Sequence, residues 1–252
     1  MSKHRIVSCI FLGYFFIIIY LIFGYDVSYY WLILLGILWL GITSWGVFDL
    51  RLNYFLSVYY HQKTNAKIVA LTFDDGPTEW TGEFLSLLEK YKAKATFFCI
   101  GNQIKQYPEI FEQIIQNQHE IGNHTQSHLN QTGFLSYQKL KKEILNNDEI
   151  IEKYMGEKPS YFRPPFGVSN PTFAKVLQDT NHQVIGWSVR SLDTVIKEEK
   201  TIAKRVLRKV KPGSIILMHD TSEKSLLALE RILQELYNNQ YQMVTISELK
   251  IR

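Results

Sequence analysis

The sequence predicts an α/β domain preceded by two transmembrane helices, and two observations support this. Residues 1–60 contain two long runs without a charged side chain, whereas from Lys67 onward short apolar runs alternate with longer amphipathic segments. Strands regularly separated by helices form parallel sheets, and about seven such repeats can close into a barrel. We therefore divide the chain into a membrane anchor, residues 1–60, and a folded domain, residues 67–250.

The composition excludes several classes of protein. Of the 252 residues, 46% are hydrophobic and 21% are charged, which is typical of a folded chain and not of a disordered or collagen-like one. The net charge is only +4, and no run of five or six like charges occurs. A nucleic-acid-binding protein needs a dense basic surface, so we expect no nucleic acid among the partners.

The first and second apolar runs extend from Ile6 to Tyr25 and from Val27 to Phe48. Each has about 20 residues, the length that an α-helix needs to cross the hydrocarbon layer of a bilayer. A secretory signal would have a shorter apolar core and a small-residue cleavage site. We predict spans at about 6–25 and 28–48. The alternative is that the second run, which contains several glycines, lies in the interface as an interfacial or re-entrant helix.

Two spans make this a multi-pass protein of the cell membrane, with the N-terminus and the folded domain on the same side. Lys3, Arg5, Arg51 and Lys63 flank the spans, while the connecting loop carries only Asp26. The excess of Lys and Arg in cytoplasmic segments favours a cytoplasmic domain. These few charges leave the side of the catalytic domain open.

The folded domain contains seven strand candidates and six helix candidates. The strands are short apolar runs: Ile68–Phe73, Ala95–Ile100, Glu120–Gly122, Tyr161–Arg163, Val184–Ser188, Ser214–Met218 and Met243–Ile246. The helices are amphipathic segments near 82–91, 104–117, 136–154, 171–180, 199–210 and 224–238.

Polar side chains follow most of these strands, where the chemistry of parallel α/β proteins is usually located. They are Asp74 and Asp75 after the first strand, His124 and His128 after the third, Arg163 at the end of the fourth, Asp193 after the fifth and His219 after the sixth. Because the carboxyl ends of the strands meet at one mouth, we expect these side chains to converge.

His124 and His128 are four residues apart, which places both rings on one face if the segment is helical. With Asp75 they make a set of two histidines and a carboxylate that leaves a position open for water, as in a catalytic metal site. Asp74, the neighbouring carboxylate, is then available as a base. The alternatives are that the Asp-Gly-Pro sequence only forms a turn and that the histidines cap a helix or lie on the surface.

His219 and Arg163 are further candidates. His219 is suited to donate a proton to a leaving nitrogen, or else it is a core-edge histidine tied to Asp220. Arg163 precedes Pro164, which favours an extended backbone there. It can orient Asp74 by charge-assisted hydrogen bonds, or it can form an ordinary ion pair of a loop.

Four motifs occur in an order that resembles the polysaccharide deacetylases with NodB homology, carbohydrate esterase family 4. They are TFDDGP at Thr72–Pro77, HTQSH at His124–His128, RPPFG at Arg163–Gly167 and LMHD at Leu217–Asp220. The resemblance covers about 67–246. It implies a distorted (β/α)7 barrel of the NodB type and metal-dependent hydrolysis of an N-acetyl group on an amino sugar.

The resemblance also implies roles for individual residues. Asp74 looks like the general base, positioned by Arg163, and His219 looks like the general acid. Asp193 would pair with and tune this histidine or the arginine. The ligands of one divalent ion, zinc or else cobalt, manganese or nickel, would be Asp75, His124 and His128.

Three further residues would contact the substrate by the same resemblance. The backbone N–H of Phe166 would help to bind the oxyanion, and Trp187 and Leu217 would form the wall of the pocket for the acetyl methyl group.

One motif departs from the family pattern. Members often carry D-x-x-D-W after the fifth strand, and this chain has Arg190 in place of the first Asp and Thr194 in place of the Trp. Asp193, the second Asp of the motif, is retained. The substitutions concern the substrate groove, where Arg190 would favour an anionic substrate such as a lipid-phosphate-linked sugar.

Three functions are compatible with the sequence. The first is a membrane-anchored N-deacetylase of a cell-wall or exported polysaccharide, peptidoglycan or a chitin-like polymer. Its partners are an N-acetylated glycan and the lipid bilayer. The second is a cytoplasm-facing deacylase of a polyprenyl-phosphate-linked sugar. The third is a catalytically silent carbohydrate-binding domain.

Overall fold

A computed structural model describes residues 2–251, so that Met1 and Arg252 lie outside the described residues. The helices are α1 (Lys3–Tyr25), α2 (Tyr30–Phe48), α3 (Thr81–Lys90), α4 (Gly101–Gln106), α5 (Pro108–Gln116), α6 (Tyr137–Met155), α7 (Pro171–Thr180), α8 (Glu199–Leu207), α9 (Glu223–Asn238) and α10 (Ile246–Ile251). The strands are β1 (Val58–Tyr59), β2 (Ile68–Asp74), β3 (Ala95–Cys99), β4 (Glu120–Asn123), β5 (Tyr161–Phe162), β6 (Gln183–Ile185), β7 (Val189–Arg190), β8 (Ile215–His219) and β9 (Gln242–Val244).

The N-terminal helices α1 and α2 pack against each other and expose apolar side chains such as Phe16, Phe23 and Trp45. Both are long and apolar enough to cross a membrane by length and composition. Helix α2 is continuous over 19 residues, or about 28 Å at 1.5 Å per residue. It therefore lacks the break that a re-entrant segment requires.

The strands form one parallel sheet in the order β1-β6-β5-β4-β3-β2-β8-β7, with β9 pairing with β2. Every strand predicted from the sequence is present. The fifth, predicted as Val184–Ser188, ends earlier, at Ile185, and the separate strand β7 begins at Val189 after residues 186–188. Strand β6 pairs with β5, whereas β7 pairs with β8. Residues 183–190 therefore connect strands near the two ends of the strand order. The curled sheet is a distorted, incompletely closed barrel of the NodB type.

The remaining elements differ from the sequence prediction in three places. The helix expected over 104–117 is two helices, since Pro108 begins α5 and the preceding Tyr107 has a non-helical ψ of 57°. A residue before proline is pushed out of the helical region, which explains the break. The short strand β1 and the helix α10 were not predicted, because two- to six-residue elements carry little periodic signal.

The central strand β2 shows how the core is divided. Val69, Leu71 and Phe73 belong to the large cluster between the sheet and helices such as α3 and α9. Ile68 and Ala70, on the alternate face, pack inside the barrel against residues such as Phe98 and Ile215. Alternation continues this inner face through Thr72 to Asp74. The last carboxylate of the strand therefore lies at the mouth of the barrel.

Candidate active site

Asp74 is buried and paired with the most enclosed cation of the domain. Arg163 has a fully buried side chain, and its Nη1 donates to Asp74 Oδ1 at 2.6 Å and to Thr72 Oγ1 at 2.8 Å. Its Nε and Nη2 donate to the carbonyl oxygens of Ile185 and Gly186 at 3.1 and 3.0 Å. Four hydrogen bonds fix the guanidinium, which in turn fixes one oxygen of Asp74. The contact expected between Arg163 and Asp74 is therefore present.

Asp75, His124 and His128 meet at the same mouth, with their ligand atoms within 4.8 Å of one another. Asp75 has a φ of +76°, and its Oδ1 lies 3.4 Å from Nε2 of each histidine. Residues 124–128 do not form a helix. Positive φ angles at Thr125 and His128 turn the segment as a loop, and this loop brings the two rings to a centroid distance of 4.9 Å.

Hydrogen bonding and nearby charges set the orientation and the pKa values of these groups. His124 Nδ1 donates to the carbonyl oxygen of Arg163 at 2.7 Å, which fixes the ring with Nε2 facing Asp75. Burial and the nearby His124 lower the pKa of His128, which favours its neutral form. Burial alone would raise the pKa of Asp75, but the surrounding histidines, led by His124, hold it well below the usual value.

The residues present fit a divalent cation. Asp75 Oδ1 is buried and lacks a hydrogen-bond partner among residues 2–251, although two histidine Nε2 atoms face it. Leaving a buried carboxylate oxygen unsatisfied is costly, and a cation shared by these three atoms removes the cost. Two imidazoles and one carboxylate are the donor set of catalytic zinc sites with an open position.

His219 belongs to a second ion pair at the mouth. Its Nδ1 lies 2.8 Å from Asp193 Oδ1, and its backbone N–H donates to Asp193 Oδ2 at 2.8 Å. Burial would lower the pKa of His219, but Asp193 raises it to about 9. The ring therefore carries a proton at neutral pH. Its Nε2 lies 4.0 Å from Asp75 Oδ2, on the side of the metal ligands.

The partner of His219 is settled by these contacts. Asp220, considered as the residue that ties this histidine, instead accepts a hydrogen bond from Thr81 Oγ1 at 2.5 Å. Asp193 is the partner, and Ser191 Oγ donates to it at 2.7 Å. The sequence left two partners open for Asp193, His219 and Arg163, and the structure shows His219.

Phe166, Trp187 and Leu217 also lie near the mouth. Phe166 has a φ of +58° in a turn and its ring centroid lies 4.7 Å from that of His128. The adjacent Gly167 is packed against the indole of Trp187, which leaves no room for a Cβ. Leu217 is buried two residues before His219 and therefore lies on the same face of β8.

A buried polar network behind the metal-ligand loop was not predicted. Asn123 Oδ1 accepts the Thr125 N–H at 2.7 Å, and Asn123 Nδ2 donates to Asp148 Oδ1 at 2.7 Å. Asp148 also pairs with His182 Nε2 at 3.0 Å. Asp148 lies on α6, far from the motifs in sequence. The only sequence signal that could have found it is an acidic residue on the buried face of an amphipathic helix. This network holds the start of the loop that carries both histidines.

Comparisons with known proteins agree with this geometry. The family model for polysaccharide deacetylase matches residues 61–185. A peptidoglycan-N-acetylglucosamine deacetylase from Bacillus cereus is 38% identical over 198 residues, covering 76% of this chain and 92% of the relative.

Two solved structures extend the comparison. Peptidoglycan deacetylase PdaC from Bacillus subtilis has a TM-score of 0.70 and 37% identity, covering 74% of this chain and 91% of that chain. A pseudoenzyme of carbohydrate esterase family 4 from Bacillus anthracis has a TM-score of 0.71 and 30% identity, covering 77% of this chain and 68% of that chain. On these matches, the chain belongs to the polysaccharide deacetylase family, carbohydrate esterase family 4.

Proposed function

We propose that this enzyme is a metal-dependent N-deacetylase that removes acetyl groups from the amino sugars of peptidoglycan and is anchored in the membrane by α1 and α2. The observation that carries the proposal is the convergence of three groups of residues at one barrel mouth. These are the base pair Asp74 and Arg163, the ligand set around Asp75, and the acid pair His219 and Asp193.

Asp75, His124 and His128 would hold the cation, with zinc the first candidate and cobalt, manganese or nickel the others. When bound, the ion lowers the pKa of a water molecule and polarises the carbonyl oxygen of the acetamide. The buried Asp75 Oδ1, which has no hydrogen-bond partner among residues 2–251, supports this assignment.

Asp74 and His219 each carry out one proton transfer. Asp74 accepts the proton of the attacking water through the carboxylate whose other oxygen is held by Arg163. The Phe166 N–H donates to the oxyanion as the carbonyl carbon becomes tetrahedral. His219, protonated at neutral pH, gives its proton to the departing amine nitrogen.

The substrate assignment draws on the relatives. Relatives named for deacetylation of N-acetylglucosamine and of N-acetylmuramic acid in peptidoglycan support a cell-wall substrate. We assign Leu217 and Trp187, which lie near the mouth, as the walls that would enclose the acetyl methyl group. A polymer outside the membrane requires the catalytic domain on the outer side, against the weak bias of the flanking charges.

The alternative functions have less support. The pseudoenzyme relative means that fold likeness alone does not establish catalysis. A silent glycan-binding domain has no need of a base, three ligands and a protonated acid together, and here all of them converge. None of the relatives named above supports deacylation of a lipid-linked sugar in the cytoplasm.

The test is acetate release by the purified full-length protein from N-acetylated peptidoglycan fragments and from acetylated chitooligosaccharide. We expect release to stop on treatment with a chelator and to return with Zn²⁺. A buffer-exchanged sample without chelator is the control. Release that is indifferent to the chelator would refute the metal assignment, and no release from either substrate would refute the deacetylase.

A further inference from the structure

The end of the membrane anchor is bonded to the loop that carries Phe166. The last carbonyl groups of a helix lack partners within the helix. In α2, the carbonyl oxygen of Val47 accepts the Ser169 N–H at 3.0 Å, and that of Gly46 accepts Ser169 Oγ at 3.3 Å. Ser169 follows Phe166 by three residues. The end of α2 and the catalytic mouth are therefore neighbours.

A cationic pocket of about 260 Å³ opens at this junction. Its lining includes Phe48 and Asp49 at the end of α2, Arg51 in the following turn, Trp187 and Arg190 at β7, Arg205 on α8 and Lys209 just after α8. Four of these side chains are cationic and one is acidic. Asp49, the acid, is already engaged by Arg51 through two side-chain hydrogen bonds of 2.7 and 2.8 Å.

Three cations of the pocket remain without a counter-ion. Among residues 2–251, Arg190, Arg205 and Lys209 have no carboxylate within 4.0 Å. Arg205 Nε donates to the carbonyl oxygen of Arg190 at 3.0 Å, which holds α8 against β7. Like charges gathered around one pocket repel each other, and a bound anion removes that repulsion.

We propose that this pocket binds the phosphate group of an anionic glycerophospholipid in the adjacent leaflet, and the proposal rests on the anchoring proposed above. Phe48, which is 73% exposed at the end of the apolar span, is part of the lining. The layer of lipid phosphates lies where a membrane span ends, and Lys and Arg beside it are attracted to anionic lipids. Three cations match one phosphate better than the zwitterionic headgroup of a neutral lipid.

The proposed site links lipid binding to the orientation of the active site. Trp187 connects the pocket with the buried base pair, because it lines the pocket and the guanidinium groups of Arg190 and Arg163 each lie 5.7 Å from its ring. A lipid held there would fix the barrel mouth beside the bilayer surface. The enzyme would then act on glycan close to the membrane.

The test is calorimetric titration of the full-length protein in neutral detergent with dihexanoyl-phosphatidylglycerol, and separately with dihexanoyl-phosphatidylcholine and with inorganic phosphate. We expect the phosphatidylglycerol to bind at least about tenfold more tightly than either other probe. The triple variant Arg190→Gln, Arg205→Gln, Lys209→Gln should weaken this binding at least about tenfold.

The matched control removes the same charge from α8 and the turn after it, through Lys200→Gln, Lys204→Gln and Arg208→Gln. These residues line a different surface groove and are exposed. Loss of Arg205 removes its hydrogen bond to β7 as well as its charge. The single variant Lys209→Gln, at an exposed side chain, therefore provides a second measurement. It should weaken binding two- to threefold, roughly the effect of a partly screened surface charge.

An equal loss of phosphatidylglycerol affinity in the triple variant and in the control variant would overturn the proposal. Equal affinity for the two lipids would overturn it as well, and so would inorganic phosphate that binds as tightly as phosphatidylglycerol. Acetate release from a soluble chitooligosaccharide, measured on the same samples, separates this outcome from failure of the proposed function. Lipid binding without acetate release leaves the pocket supported and refutes the deacetylase.

Discussion

The two sides of the barrel mouth differ in how their charges are compensated. On the acid side, His219 and Asp193 neutralise each other at 2.8 Å, and Ser191 completes the hydrogen bonding of the carboxylate. On the metal side, Asp75 Oδ1 is buried and faces His124 and His128 without a hydrogen bond among the described residues. The charges of the acid side are therefore compensated within the protein, whereas the metal side keeps an unsatisfied carboxylate oxygen that suits a cation.

This difference separates the variants that should change metal binding from those that should change proton transfer. Asp74 adjoins both sides, since its Oδ2 lies 3.9 Å from His124 Nε2 and it pairs in register with His219 on the neighbouring strand. A base that is not itself a ligand should be removable without loss of the ion. The predictions below follow in order of expected effect.

Asp74→Asn should have the largest effect on rate. The amide keeps the shape of the side chain but cannot accept the proton of water, so we expect acetate release to fall by about 10³–10⁴-fold. Metal content, measured by atomic emission on the dialysed protein, should stay near that of the parent enzyme.

The comparison variant for Asp74→Asn is His128→Ala, which should lose metal and activity together. Removing the charge of Asp74 leaves Arg163 buried without its counter-ion, so the melting temperature of each variant must be measured as well. If Asp74→Asn lost the ion while remaining folded, Asp74 would belong to the ligand set. Undiminished turnover would contradict its assignment as the base.

The positions at the mouth could be predicted because they follow from chain order and alternation. Asp74 and His219 end buried apolar strands, Asp75 directly follows the first of these, and the carboxyl ends of parallel strands meet at one place. The i, i+4 spacing of His124 and His128 indicated a shared site, although the geometry that joins them is a loop with positive φ angles and not a helix. The spacing therefore pointed to two residues that do lie together, but they meet through a loop and not on one face of a helix.

The supporting contacts could not be predicted because they join distant parts of the chain. Asp148 reaches the ligand loop from α6, and Ser169 bonds to the end of α2 across more than 120 residues. The division of 183–190 into β6 and β7 depends on pairing with β5 and β8 and not on local sequence. Local propensity carries no information on such pairings.

Asp193→Asn should have the next largest effect. Asp193 raises the pKa of His219 to about 9, so the parent ring is protonated at neutral pH. Without this carboxylate the pKa falls, and the acid is deprotonated over part of the assay range. We expect acetate release at pH 7.5 to fall about 10²-fold, with the alkaline limb of the pH profile moving to lower pH.

The matched change for Asp193→Asn is Ser191→Ala, which removes one hydrogen bond from Asp193 but keeps its charge. Because the carboxylate that raises the pKa of His219 stays in place, the alkaline limb should remain near that of the parent enzyme. Metal content should be unchanged in both variants, because the acid side is complete without the ion. An unshifted alkaline limb in Asp193→Asn would show that His219 is not the group that titrates there.

Asp148→Asn should have the smallest effect and act on the metal side alone. The substitution weakens the hydrogen bond from Asn123, whose other amide atom holds the loop at Thr125, so the two histidines lose part of their fixed orientation. Residues behind a metal ligand typically contribute 10–100-fold to metal affinity, and we expect a loss of about tenfold for this conservative change. Competition with a chromophoric chelator measures this loss of affinity.

Glu149→Gln, exposed on the same helix, is the control with the same loss of charge. With saturating Zn²⁺ the Asp148 variant should recover the parent rate, because base and acid are untouched; a rate that stays low at saturation would place the network in proton transfer and erase the distinction between the two sides.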